Sequence, residues 1–177
     1  MHPTDPPLAA RDIAAGVRTR RLSAVEVTRA HLARIAQLDG TLHAFTAVRE
    51  REVLEDAAQL QRSDDLSRLP LAGVPVAVKD NFDVAGLPTR YGSNATSSAA
   101  AARDAELVQR LRAAGALIIG KTSMPELAIW PFTEGDGWAT RNPFDTARTC
   151  GGSSGGSAVA VSTGMAALAI GTDSGGS

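Results

Sequence analysis

Lysine is nearly missing from this chain. Of its 18 basic side chains only Lys79 and Lys121 are lysines, so arginine carries the general surface charge and each lysine stands out. Cysteine is scarcer still. Cys150 stands alone, which excludes an internal disulfide framework and suits a reducing compartment. The three histidines, His2, His31 and His43, all lie near the start, and no cluster of His, Cys or carboxylates has ligand spacing, so neither a metal nor another cofactor is expected. No apolar run approaches the roughly 18 residues that a membrane helix needs. The opening MHPTDPP has neither the basic nor the apolar region of a signal peptide, so a cytoplasmic location is expected. With a net charge of −1, neither nucleic acid nor an anionic membrane is an expected partner.

What is present suits a soluble globular domain: 177 residues, 44% hydrophobic and 21% charged. Residues 8 to about 62 read as helical. Ser23 and Glu26 form a capping box, after which Val25, Leu32 and Ile35 recur at helical spacing until Gly40 ends the run. Val53, Ala57 and Leu60 mark a second amphipathic stretch. His31 is expected on a helix surface and His43 in a turn or short strand.

The pattern then changes to period two. In LAGVPVAVKDN, Val74, Val76 and Val78 alternate with Pro75, Ala77 and Lys79, which predicts a strand with Lys79 at its C-terminal end. A helix capped by Asp104 and closed at Gly115 is expected next, then a buried parallel strand at ALIIG. Another helix is expected from Ser123-Met-Pro-Glu126, then a helix of small residues capped by Ser157, and a third strand within Ala166–Gly171. Strand, helix, strand, helix, strand is the grammar of an α/β fold with a mostly parallel sheet, whose chemistry gathers at the carboxyl ends of the strands.

The Gly/Ser stretches GGSSGGS and GTDSGGS admit three readings. A flexible spacer has this composition, but the first stretch runs directly into Ala158-Val-Ala-Val, so it reads as a tight loop entering a packed element. A phosphate cradle lacks its Walker lysine. Nucleophilic catalysis by a serine needs a base, and every histidine is remote in sequence. Lysine can serve if burial leaves it neutral, and Lys79 is the better placed of the two.

GVPVAVKDN, GALIIGKTSMPE, TRNPFD, GGSSGGSA and GTDSGGS occur in the order and approximate spacing of the amidase signature family, which the chain resembles weakly to about residue 70 and strongly thereafter. The resemblance implies the N-terminal part of that fold: helices over 1–70 and the start of the catalytic α/β core over 71–177, with the remainder missing. It implies a Ser-Ser-Lys triad in which Ser177 is the acyl-forming nucleophile, Ser153 the bridging serine after a cis peptide bond, and Lys79 the base. The backbone N–H groups of Ser174, Gly175, Gly176 and Ser177 would form the oxyanion hole. Ala128, Ile129 and Trp130 match a segment that lines the acyl pocket in relatives. Ser154 would hydrogen-bond within the loop, Lys121 would be structural, Cys150 inert, and Asp173 a turn residue.

The implied activity is hydrolysis of a small-molecule amide through an acyl-enzyme. Two alternatives stay open: the glutamine-dependent amidotransferase component that serves misacylated tRNA, and a non-catalytic remnant. Family members run to more than twice this length, so the isolated chain is expected to be inactive and prone to aggregate. The N-terminal helices leave a homodimer of the longer protein open.

Overall fold

The computed structural model describes residues 8–176. Two helices, α1 (Ala10–Arg18) and α2 (Ala24–Leu42), lead into strand β1 (Phe45–Val48) and helix α3 (Glu50–Gln61). Strand β2 (Pro75–Lys79), helix α4 (Glu106–Ala113) and strand β3 (Leu117–Thr122) follow. Two short hairpins, β4 (Glu134–Gly135) with β5 (Trp138–Ala139) and β6 (Arg141–Asn142) with β7 (Asp145–Thr149), precede helix α5 (Gly155–Ser162) and strand β8 (Leu168–Ile170). The main sheet has the order β1-β3-β2-β8. β2 pairs in parallel with both β3 and β8, whereas β1 runs antiparallel to β3. The fold is therefore α/β with a mostly parallel sheet.

Burial explains the pattern. All five residues of β2 and all six of β3 are buried, as expected for central parallel strands covered by helices. Ile13, Val17, Val27 and Val53 from the helices share one apolar cluster with Val76, Val78 and Ile118 from the sheet and Val159 from α5. Ser23 caps α2, its hydroxyl accepting from the Glu26 N–H at 3.2 Å. Among the described residues no helix is long and apolar enough to cross a membrane.

Several local expectations are corrected. Helix α2 continues through Gly40 to Leu42 and stops only where His43 turns left-handed, at φ 54°. The segment read as helical holds a strand, β1. Phe45-Thr-Ala-Val packs so closely on β3 that a Cβ on Gly120 would lie 2.3 Å from the Ala47 carbonyl oxygen. His31 is not on the helix surface. It is fully buried, and neither ring nitrogen has a hydrogen-bond partner. Four residues from Val27 and from Ile35, it lies on the stripe that α2 buries.

Asp104 does not cap α4, whose N-cap is Ala105. Its carboxylate instead accepts from the Ala85 N–H at 2.7 Å and from Arg112 at 2.8 Å. The helix expected from Ser123 is a single 3₁₀ turn over Glu126–Ala128, because Leu127 and Ala128 take positive φ. Ser157 lies inside α5 and donates to the Ile170 carbonyl at 2.8 Å, while Thr122 Oγ1 lies 2.7 Å from the same hydroxyl. That pair of contacts ties the ends of β3 and β8 to α5. The helix crosses the chain at Gly156, where a Cβ would sit 2.5 Å from the Ser123 nitrogen.

Candidate active site

The three parallel strands end together. Lys79 is in register with Thr122, and Val78 with both Lys121 and Ile170, so the segments that follow β2, β3 and β8 meet at one edge. Strand pleating sends the Lys79 side chain into a fully buried position at that edge. Its Nζ lies 2.6 Å from Ser153 Oγ, 2.9 Å from Ser154 Oγ and 2.9 Å from Thr172 Oγ1. Burial pushes the Lys79 amine below the ordinary lysine range, and the Asp173 carboxylate opposes this. A buried amine among neutral hydroxyls is the environment in which lysine can give up its proton.

Ser153 is buried and follows a cis Gly152–Ser153 peptide bond. Ser154 bridges the two Gly/Ser stretches, its hydroxyl donating to the Thr172 carbonyl at 3.1 Å and accepting from the Thr172 N–H at 3.2 Å. The Asn81 amide reaches the same threonine, with Nδ2 3.1 Å from Thr172 Oγ1. Ser177 lies outside the described residues.

In the turn after β8, Asp173 Oδ1 accepts from the N–H groups of both Gly175, at 2.9 Å, and Gly176. Two of the expected oxyanion donors thus converge on one anionic oxygen. An open cleft of about 480 Å³ is lined by Ala128, Ile129 and Trp130 together with Gly152 and Ser174, Gly175 and Gly176. The exposed rings of Trp130 and Phe132 meet edge to face at 6.1 Å.

Lys121 makes a buried ion pair with Asp80, Nζ to Oδ1 2.6 Å, and donates to the Pro88 carbonyl and Thr89 hydroxyl. Burial pushes the Asp80 carboxyl up and the Lys121 amine down, and their mutual attraction opposes both shifts. Asp80 also accepts from the Arg90 N–H, and the Tyr91 carbonyl accepts from the Leu127 N–H, so this pair braces the turn bordering the cleft. Cys150 is half-buried, and desolvation pushes its thiol up, away from thiolate. Among the described residues no group of His, Cys, Asp and Glu could hold a metal ion.

Sequence reasoning passed over Thr172, Asn81 and the Asp80–Lys121 pair. Asn81 lies in the tight turn that follows β2, where its N–H returns to the Lys79 carbonyl at 2.8 Å.

A buried lysine at the end of a parallel strand thus touches paired serines on a Gly/Ser loop of an α/β fold. The sequence model of the Amidase family matches residues 26–177, and the chain belongs to that family, the amidase signature enzymes. It is 51% identical over 184 aligned residues to a Mycobacterium bovis protein that carries the name amidase AmiB2, covering 100% of this chain and 39% of that protein. It is 45% identical to a Glutamyl-tRNA(Gln) amidotransferase component of Nocardia farcinica, covering 95% of this chain and 35% of that one. Among solved structures it resembles the peptide amidase of Stenotrophomonas maltophilia with a TM-score of 0.80 at 37% identity, over 91% of this chain and 35% of that one. The chain thus spans well under half the length of these relatives.

Proposed function

We propose that this chain carries the base, bridging serine and nucleophile of a Ser-Ser-Lys amidohydrolase. The observation that supports it most is the 2.6 Å contact between Ser153 Oγ and the buried Lys79 Nζ. Neutral Lys79 takes the Ser153 proton while Ser153 takes that of Ser177, whose oxygen attacks the carboxamide carbon. Collapse of the tetrahedral intermediate expels ammonia or an amine, which leaves with the proton returned along the same relay. Water then repeats the sequence on the acyl-serine and releases a carboxylate. The N–H groups of Gly175 and Gly176, which already meet on one carboxylate oxygen, hold the oxyanion once Asp173 swings aside.

The substrate is a small carboxamide. Leu127, Ile129 and Trp130 on the cleft are exposed apolar side chains, and none of the described residues lining it is charged, which favours an apolar amide over zwitterionic glutamine. The amidotransferase reading keeps support from the 45% identity to a component of such an enzyme. Because relatives are much longer, the activity belongs to the full-length form, and the 177-residue chain alone is expected to be inactive.

The test is to extend the chain to the length of its relatives and follow ammonia release from primary carboxamides, with intact mass recorded for an acyl adduct. An adduct lost in Ser177→Ala supports the mechanism. Turnover that survives Ser177→Ala removes it. Hydrolysis of glutamine in preference to apolar amides would favour the amidotransferase.

A further inference from the structure

We propose that Asn81 is a positioning residue: through the Thr172 hydroxyl it fixes the hydrogen-bond polarity around Lys79, so that the free electron pair of the neutral amine faces Ser153. The proposal rests on the reading of Lys79 as the base.

Three hydroxyl oxygens surround Nζ, those of Ser153, Ser154 and Thr172. A charged amine gives one N–H to each. A neutral amine keeps two N–H groups and one electron pair, so it acts as a base toward Ser153 only if the other two oxygens both take its protons.

Ser154 is committed to that polarity. Its proton goes to the Thr172 carbonyl and one lone pair takes the Thr172 N–H, which leaves only an acceptor site toward Lys79. Thr172 is set by Asn81. With Nδ2 donating to Oγ1, one lone pair is filled while the other lone pair and the hydroxyl proton are both left, so this donation alone does not set the polarity. A half-turn of the amide brings Oδ1 onto the hydroxyl proton, and the Thr172 oxygen is then only an acceptor toward Lys79. Asn81 Oδ1 is otherwise buried without a partner, and that half-turn supplies one.

Two variants test this, Asn81→Leu and Asn81→Asp. In ¹³C-lysine-labelled full-length protein the Lys79 signal is assigned by its loss in Lys79→Ala and titrated by itself. In Asn81→Asp the carboxylate accepts the Thr172 proton, so the polarity is kept, while a negative charge within about 6 Å of Nζ moves the Lys79 midpoint up by about one to two pH units. In the full-length enzyme the acid limb of kcat/KM moves up by the same amount, and activity lost at neutral pH recovers as the pH is raised. Asn81→Leu lowers kcat about 10- to 100-fold at every pH, with KM unchanged.

An unmoved Lys79 titration in Asn81→Asp overturns the proposal, as does wild-type kcat in a folded Asn81→Leu. The aspartate variant is nearly isosteric and decides the matter even where the leucine variant does not fold. Lys79→Ala separates the two claims. Full activity there would take Lys79 out of the chemistry, and with it the polarity that Asn81 is proposed to serve, whereas the NMR shift reports only whether Asn81 and Lys79 are coupled.

Discussion

Acidifying the folded chain should expose His31 as a liability, by an amount its burial fixes. The ring is fully buried, neither nitrogen has a partner, and desolvation with the nearby Arg34 charge lowers its pKa from 6.5 to about 4. A histidine that binds its proton more weakly when folded contributes stability that is complete above pH 6.5. That contribution drains away as the pH falls toward 4, because the unfolded chain takes up the proton first. Over the whole window the loss is about 3 kcal/mol, of which about 2 kcal/mol has gone by pH 5. His31→Leu removes the titration and two unmet polar atoms while keeping an apolar side chain on the buried stripe of α2. Urea unfolding followed by tryptophan fluorescence at pH 7.5 and pH 5 should show the wild type losing about 2 kcal/mol more than the variant. Carboxylates such as Asp39 and Asp80 titrate in both proteins and cancel in that difference. Parallel pH dependence in the two proteins would refute the reasoning, since it would mean that His31 is protonated in the folded chain.

Other outcomes follow from the site and its supports. In the full-length enzyme Lys79→Ala should abolish amide hydrolysis at neutral pH and Lys79→Arg should not restore it, because a guanidinium cannot become neutral; steady-state turnover of the arginine variant near the wild-type rate would count against a base at this position. Gly176→Ala should lower kcat by about 10² to 10³ if the N–H beside it holds the oxyanion, since φ there is 104° and an L-residue must shift the turn; an unchanged kcat would place the oxyanion elsewhere. Lys121→Met should destabilise the chain by about 3–5 kcal/mol by leaving Asp80 buried without its cation, whereas Lys121→Met with Asp80→Asn should recover much of that loss in the same unfolding assay. Gly120→Val should disrupt β1 pairing, seen as lost amide protection at Phe45–Val48, because its Cβ would meet the Ala47 carbonyl.

The sheet was legible where its strands are buried on both faces. The valines at 74, 76 and 78 and the run ALIIG announce β2 and β3, and they put Lys79 at a strand end, where its side chain could be weighed as a base. Strand β1 was not legible. Four residues between two helices carry little periodicity, and their strand character comes from Gly120, more than seventy positions away. The burial of His31 is masked by its polarity, although four-residue steps from Val27 and Ile35 point to the buried side. The cage around Lys79 draws on residues 79–81, 153–154 and 172, and only folding brings these together. After Pro125 the sequence reads as a longer helix than the single turn that forms, because no residue type there announces the positive φ of Leu127 and Ala128.

Both lysines of this chain have no accessible surface, one held by hydroxyls and the other by Asp80. The folded molecule therefore offers no side-chain amine to an acylating reagent. Dyes, biotin esters and amine-directed crosslinkers should leave Lys79 and Lys121 untouched until the chain opens. The extent of modification at these two side chains then becomes a direct count of opening events.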